Sequence, residues 1–593
     1  MNFTQRTHTC GDLSIKNEGC PATLNGWVYV KRDLGGLLFV DLRDRYGVTQ
    51  LKISPEKKEI FDIVNKLSLE SVISVTGTVI KRESVNLNMP TGEIELDVEK
   101  LEVLNESAVT PFVIEDDVKA SDDLRLKYRY LDMRRKSITD NLIVRSKVYQ
   151  STRKYFEKLG FIEIETPVLM KSTPEGARDY LVPSRVHKGN FYALPQSPQI
   201  YKQILMVAGF DKYIQICKCF RDEDLRADRQ PEFSQIDFEM SFVKQDDVFE
   251  ILEGLFKSVW KDVLNIDLKL PITRMSYDEV MRKYGSDKPD LRIPGMEIHD
   301  CGGILADCDF KVFTDAIKSG GVVAGIKLEG QKTSRKTFDE VTEYAKNELG
   351  FGGVAYVKFN AGGDITSSIK KFLSESDISQ IKFTFSANDN DVVFFLSGDS
   401  RKVHQGLGKL RTKLAEDYKL IDESKFEFLI VKDFPLFSYD EETNTFVAEH
   451  HMFTMPWDEH LKYLKPTASR EEVESIRAYC YDVVLNGSEI TSGSIRVHRP
   501  DIQQEIFDKV GFSAEEAQKR FGFMLEAFKY GAPPHGGAAV GIDRVVAIMC
   551  GIKSLRDVIA FPKTINAASP MDESPSPVDE AQLKDLGIQL SIN

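Results

Sequence analysis

FRDEDLRADRQPEFSQIDFEMSF, residues 220 to 242, decides how the rest of the chain is read. After Pro231 the text alternates with a period of two. In a strand this puts Phe233, Gln235, Asp237 and Glu239 on one side and Ile236, Phe238 and Met240 on the other. The second face suits a core and the first suits a ligand. Arg221, Glu223, Arg226 and Arg229 lead into it. Guanidinium forks match phosphate oxygens, an aromatic plate stacks on a flat base, and carboxylates hold an ammonium group or a metal. Alone, the same residues also describe an exposed hairpin laced with salt bridges.

With 593 residues the chain exceeds what one hydrophobic core supports, so three or four domains are expected. No run of 18 apolar residues occurs and the first residues lack an apolar stretch, which predicts a cytoplasmic protein with no membrane segment. The eight cysteines, at 10, 20, 217, 219, 301, 308, 480 and 550, lack paired C-x-x-C spacing. They read as reduced thiols rather than a structural metal site. A net charge of −14 argues against RNA binding over the whole surface, but LRLKYRYLDMRR at 124 to 135 concentrates Arg125, Lys127, Arg129, Arg134 and Arg135. This stripe either meets an RNA backbone or is the solvated side of a linker helix paired with Asp122, Asp123 and Asp132.

From Leu24 to Val103, five short β-rich runs and one helical interruption predict a small Greek-key barrel of the OB type. In LLFVDLRD, Leu38, Val40 and Leu42 take the core face and Phe39, Asp41 and Arg43 the other. An aromatic among charges, with Arg32 on the preceding strand and Gln50 on the following one, has the layout of a single-strand RNA reader. Residues 105 to 140 read as a polar hinge, 140 to 161 as a helix ended by Gly160, and FIEIETPVLM as a strand closed by Pro167. Lys202, alone among Ile200, Ile204, Leu205 and Met206, either snorkels or holds an anion.

FRDEDLRADRQPEFSQIDFE resembles motif 2 of the class II aminoacyl-tRNA synthetases in the form found in bacterial aspartyl enzymes. GGAAVGIDR at 536 to 544 resembles motif 3, and the segment around Pro167 resembles motif 1. The likeness runs from about Gly26 to Lys563. It implies a multidomain α+β protein: an OB-fold anticodon-binding domain (1–108), a hinge (109–140), an antiparallel-sheet catalytic domain in two parts (141–292 and 421–563), an α/β insertion domain (293–420) and a C-terminal extension (564–593). The activity implied is activation of L-aspartate by ATP followed by transfer to tRNA(Asp), in a homodimer. Variants of that reading also charge tRNA(Asn), or use asparagine.

The same resemblance implies the site. Glu175, Ser197, Gln199, Lys202, Arg221, Asp237, His450 and Arg496 would bind aspartate. Arg221, Asp222, Glu223, Gln230, Phe233, Glu489, Gly541, Ile542, Asp543 and Arg544 would bind ATP, with Arg221, Arg544 and Glu489 catalytic. Arg32, Phe39 and Gln50 would meet the anticodon. Lys202 and Arg496 favour aspartate over asparagine if a neutral amide would leave both cations unpaired. No P-loop is present and no Ser-His-Asp set is evident.

Asn486-Gly487 is a hairpin signal that pairs Leu485 with Ser488, Val484 with Glu489 and Asp482 with Thr491. Asp482 and Glu489 then share a face and can hold Mg²⁺ against ATP phosphates. Arg496 lies an odd number of residues from Glu489, so both can line one pocket only if a bulge falls within 491 to 494.

Overall fold

Alternating burial closes the first sheet on itself. In the computed structural model, which describes residues 3–173, 176–224, 226 and 228–591, β1 (Pro21–Leu34), β2 (Leu37–Arg43), β3 (Val48–Ile53), β4 (Val72–Lys81) and β5 (Ile94–Asn105) form a closed barrel in the order β1-β2-β3-β5-β4. The helix Lys58–Lys66 joins β3 to β4. Leu38, Val40 and Leu42 enter the barrel core with Val28, Leu51 and Val75, while Phe39 and Asp41 stay half-buried outside it.

The chain divides into two compact units, residues 1–143 with 560–564 and 568–576, and residues 144–559 with 565–567 and 577–593. In the first, the cationic stripe turns inward. Arg125, Arg129 and Arg135 all donate to Asp132, at 3.1, 2.5 and 2.8 Å, and Asp132 has no exposed surface. Arg134 pairs with Glu70 at 2.8 Å. Arg125, Arg129 and Arg135 take Asp132 as the paired reading expects, but the cluster is buried rather than solvated, and Arg134 takes Glu70 instead of one of the three expected aspartates. Burial alone would raise the Asp132 pKa, but the arginine hydrogen bonds and charges outweigh it and hold the carboxyl below its ordinary value.

The second unit is built on an eight-stranded sheet. Its strands are β6 (Ile162–Glu163), β9 (Lys212–Phe220), β10 (Glu232–Ser241), β11 (Thr273–Ser276), β17 (Phe428–Lys432), β20 (Cys480–Leu485), β21 (Ser488–Ile495) and β22 (His535–Gly541). Between these fall the hairpins β7–β8 (Leu181–Pro183, Phe191–Ala193) and β18–β19 (Phe437–Asp440, Thr445–Ala448). The sheet order is β11-β17-β20-β21-β22-β10-β9-β6, antiparallel except for the pairs β11–β17 and β6–β9. Ile236, Phe238, Met240, Ala538, Val540, Tyr481 and Val483 pack on one face against Phe249, Leu252 and Phe256 of the helix Gln245–Leu264 and against Val545 and Val546 of the helix Ile542–Met549. The other face is left for the site.

The insertion carries its own sheet, β12 to β16 (His299–Asp300, Val322–Leu328, Ala355–Phe359, Ile365–Ser367, Val392–Gly398), ordered β12-β13-β16-β14-β15. Every pairing in it is antiparallel, so α+β describes it more closely than the expected α/β. The helix expected over 140 to 161 starts earlier and spans Lys136–Lys158, with Gly160 left-handed after it (φ 76°). The expected strand FIEIETPVLM is corrected to the two residues of β6, which pair only with β9 at the sheet edge. A Pro without an N–H shortly downstream cannot extend that ladder, and the chain pairs again only at Met170, in an isolated bridge to Ala193.

Candidate active site

Successive rungs of the sheet place the polar groups. Asp237 pairs with Ala539, Ala539 with Ser492, and Ser492 with Asp482; on the next rung Glu239 pairs with Gly537, Gly537 with Ser494, and Ser494 with Cys480. The middle strand contributes almost no side-chain bulk, which leaves room above it. At Gly537 the requirement is steric: a Cβ there would lie 2.1 Å from the Phe238 carbonyl oxygen and 2.5 Å from Glu239 Oε2. A cavity of about 500 Å³ opens over this face, lined by Gln199, Lys202, Arg221, Phe233, Asp237, Glu489, Arg496 and Arg544 among others.

Four buried ions lie at its base, of which Lys202, Asp237 and Arg496 line it and Glu239 stands behind them. Lys202, from the helix Gln199–Val207, donates to Asp237 Oδ2 at 2.8 Å and lies 3.2 Å from Glu239 Oε2. Arg496 donates to Glu239 Oε1 from Nε at 2.9 Å, to Ser494 Oγ at 2.7 Å and to the Gly537 carbonyl at 3.3 Å. Burial opposes the Glu239 carboxylate, but Arg496 and Lys202 overcome it and its pKa lies below the ordinary value. For Asp237 burial wins over Lys202 and the pKa is raised. This corrects the expectation that a neutral ligand would strand two cations, because the protein's own carboxylates already balance them. Polar capacity is nevertheless left over: Asp237 Oδ1 and Gln199 Nε2 are buried without a hydrogen-bond partner.

On the entrance side, the Arg221 guanidinium lies 5.1 Å from the centre of the Phe233 ring. Arg544 donates to the Glu489 carbonyl at 2.8 Å and lies 3.8 Å from Asp228. Arg229 pairs with Glu223 at 2.8 Å, and Gln230, Ser197 and Gly541 also line the cavity. Two expected residues stand elsewhere, and a third is engaged within the protein. Ile542 packs in the hydrophobic core, so its side chain cannot line the cavity. Asp222 is not among the lining residues and forms an isolated bridge with Arg178. Asp543 reaches the wall, but its oxygens accept from Arg145 and from the Ser234 backbone N–H, so it braces β10. Glu175 lies outside the described residues.

In the β20–β21 hairpin, Asn486 and Gly487 take positive φ (51° and 79°), Leu485 pairs with Ser488 and Val484 with Glu489, as the turn chemistry requires. Asp482 then pairs with Ser492 instead of Thr491, because the register shifts at Ile490. The expected bulge within 491 to 494 is therefore corrected: pairing is regular there, and the extra residue is Ile490. It serves the same end, since Glu489, Ser492, Ser494 and Arg496 now alternate onto one face. The residues that crowd Asp482 also explain its protonation. Burial pushes it up to about 7, Glu489 adds to the rise and His450 opposes it, and Asp482 Oδ1 has no hydrogen-bond partner. An orphaned buried carboxylate oxygen beside a second carboxylate fits a divalent cation whose other ligands are phosphates and water. Among the described residues, no group of three or more His, Cys, Asp or Glu side chains is placed to hold a metal without such help.

Sequence reading chose His450, which lines the cavity with its ring edge-on to Phe434. It missed His451, whose Nε2 accepts from Arg496 Nη1 at 2.7 Å. Burial and the Arg496 charge keep His451 neutral, with a pKa well below the ordinary value. Gln235 lines the cavity, as its parity with Phe233 and Asp237 on the ligand face requires, and Asp228, which sequence reading did not assign, lines it too.

In the first unit, Arg32 pairs across strands with Phe39, and Asp41 with Gln50. Arg32 Nη2 donates to Asp41 at 2.6 Å and to Gln50 Oε1 at 3.2 Å, and Gln50 Nε2 donates to Glu95 at 2.7 Å. Two of the three expected RNA-reading side chains, Arg32 and Gln50, thus share one network, and the third, Phe39, is the cross-strand neighbour of Arg32.

Residues 121–565 match the family described as tRNA synthetases class II (D, K and N), and residues 22–104 match the OB-fold nucleic acid binding domain. The chain is 50% identical over 592 residues to an aspartate–tRNA(Asp/Asn) ligase of Caldanaerobacter subterraneus subsp. tengcongensis, covering 99% of each. It is 48% identical to an aspartate–tRNA ligase of Ruminiclostridium cellulolyticum, covering 99% of this chain and 98% of that one. Its fold resembles asparaginyl-tRNA synthetase from Pyrococcus horikoshii complexed with asparaginyl-adenylate, with a TM-score of 0.59, 18% identity, and coverage of 95% of this chain and 99% of that one.

Proposed function

The chain belongs to the class II tRNA synthetases of the D, K and N group, and from that premise we propose that it is an aspartate–tRNA ligase. The observation that carries the choice of amino acid is the 50% and 48% identity to relatives named aspartate–tRNA ligases. The buried quartet Lys202, Asp237, Glu239 and Arg496 is balanced within itself, and Asp237 Oδ1 and Gln199 Nε2 leave one acceptor and one donor, which an aspartate zwitterion can meet. Its ammonium group goes to Asp237 Oδ1, and its side-chain carboxylate goes to Arg496 and Lys202, with neutral His451 steadying the guanidinium.

In the first step the aspartate α-carboxylate attacks the α-phosphorus of ATP. The bond to the β-phosphate oxygen breaks, and pyrophosphate leaves with its electrons. Arg221 neutralises the α-phosphate and α-carboxylate, Phe233 and Arg544 enclose the adenine, and Arg544 also meets the γ-phosphate. The protein's work is positioning and charge compensation, because the substrate supplies the nucleophile. Asp482 and Glu489 would hold Mg²⁺, which when bound neutralises phosphate charge. In the second step a hydroxyl of the 3′-terminal ribose attacks the carbonyl of the mixed anhydride and AMP leaves.

Of the two relatives, one is named an aspartate–tRNA(Asp/Asn) ligase and the other an aspartate–tRNA ligase, and charging of both tRNAs by this chain is a reading of equal standing. Recognition would run through Arg32, Phe39 and Gln50. A homodimer is supported by the exposed Ile162, Val168 and Leu169 around the edge strand β6. No described helix is long and apolar enough to cross a membrane, in keeping with work in the cytoplasm. Aspartate-dependent exchange of pyrophosphate into ATP, with asparagine in parallel, tests the activity. Charging of purified tRNA(Asp) and tRNA(Asn) side by side tests the choice of tRNA.

A further inference from the structure

The barrel carries a second concavity, apart from Arg32, Phe39 and Gln50. It measures about 610 Å³ and is lined by Phe3, Arg6, Asn25, Trp27, Arg45 and Tyr46, among others. Tyr46, in the turn between β2 and β3, is 54% exposed. The guanidinium groups of Arg45 and Arg6 lie 4.6 and 5.6 Å from the centre of its ring. Arg6 is compensated by Asp44 at 3.2 Å. Arg45 donates only to Tyr46 Oη and has no carboxylate partner among the described residues, in a chain with a marked excess of acids.

The amide of Asn25 supplies the specific feature. Its Nδ2 donates to the Thr4 carbonyl at 3.2 Å, which fixes its orientation, and its Oδ1 is buried without any hydrogen-bond partner. A buried acceptor is rarely left unmade. Aromatic walls, one orphaned amide oxygen and one uncompensated guanidinium match the three parts of a nucleotide: a flat ring, an N–H on its edge and a phosphate.

We propose that this concavity is a second RNA subsite, which takes one nucleotide adjoining the anticodon. The base lies against Tyr46 and Trp27, an N–H of the base donates to Asn25 Oδ1, and its phosphate meets Arg45. The placement follows from register. Phe39 pairs with Arg32 at one end of β2, and Arg43 pairs with Trp27 at the other. Four residues at about 3.3 Å each separate the ends by roughly 13 Å, within reach of a neighbouring nucleotide on a single strand. The assignment rests on the proposed tRNA substrate and extends its contact beyond the triplet.

Tyr46→Leu and Arg45→Gln alter an exposed turn and test the subsite. Filter binding measures the affinity for a tRNA(Asp) transcript and for its isolated anticodon stem-loop, and pyrophosphate exchange with aspartate is followed in the same preparations. Tyr46→Leu should weaken binding of both RNAs about tenfold. Arg45→Gln should lower the slope of log affinity against log salt by about 0.9, the loss of one phosphate contact. Exchange should be unchanged in both variants. Unchanged RNA affinity, or a matching fall in exchange, would overturn the subsite. Weakened binding of whole tRNA alone would overturn its place beside the anticodon. A wild-type protein that fails to exchange with aspartate would defeat the activity reading instead, since RNA binding is read separately.

Discussion

Glu239 accepts from both Nε and Nη2 of Arg496, at 2.9 and 3.2 Å, with neither side chain more than 2% exposed. The pair is fixed before any ligand arrives, and with His451, Ser494 and the Gly537 carbonyl also accepting, all five N–H groups of Arg496 are engaged, so a substrate carboxylate must displace one of these partners. Arg496→Leu should abolish aspartate activation without creating activity with asparagine, because it strands the Glu239 carboxylate and leaves Lys202 in place. Removing one partner of such a buried pair costs about 3 to 5 kcal/mol. Exchange assays with both amino acids and a thermal melt check this. Asparagine activity near the original aspartate rate would overturn the pocket assignment.

Phe39→Ala should leave pyrophosphate exchange near normal and weaken tRNA charging by about 1 to 3 kcal/mol, the value of one base–aromatic stack. The ring is half-buried outside the barrel core, so its loss should spare the fold. Equal losses in the two assays would show that the ring holds the fold together.

Glu489→Gln should raise the Mg²⁺ concentration needed for half-maximal exchange. Loss of an outer-shell partner already weakens metal sites by on the order of tenfold, and a direct ligand should cost at least that much. A Mg²⁺ titration at saturating ATP reads the shift. An unchanged midpoint would place the ion elsewhere.

Asp132→Asn should destabilise the first unit at neutral pH, since Arg125, Arg129 and Arg135 all depend on that carboxylate. Its pKa is lowered in the folded protein. The stabilisation is therefore complete above the ordinary carboxylate value and is lost as pH falls through the lower, folded one. Denaturation midpoints of wild type and variant should differ at pH 7 and converge below about pH 4, set by the Asp reference value. A gap that persists at low pH would mean that shape rather than charge holds the cluster.

Sequence made legible what depends on short-range alternation. The two faces of β10, the Leu38–Val40–Leu42 core row and the Asn486-Gly487 turn all follow from period and turn chemistry within a few residues. What it could not give depends on residues far apart in the chain. Lys202 appeared alone among apolar neighbours, and its partners lie 35 and 37 positions further on, in a strand whose approach only the tertiary fold decides. His451 went unassigned for the same reason, because Arg496 is 45 residues away. The bulge was required by parity, but its place at Ile490 is decided by how β21 matches β20 on one side and β22 on the other.

That single extra residue gives the hairpin a restriction on its evolution. Deleting Ile490, or adding one residue between Glu489 and Ser492, would exchange inward for outward along the remainder of the strand. The metal-facing carboxylate would then be parted from the guanidinium that reads the amino acid. Changes of two residues would spare the relation. Length variation in this segment should therefore come in pairs, a rule of even steps that no single side chain expresses.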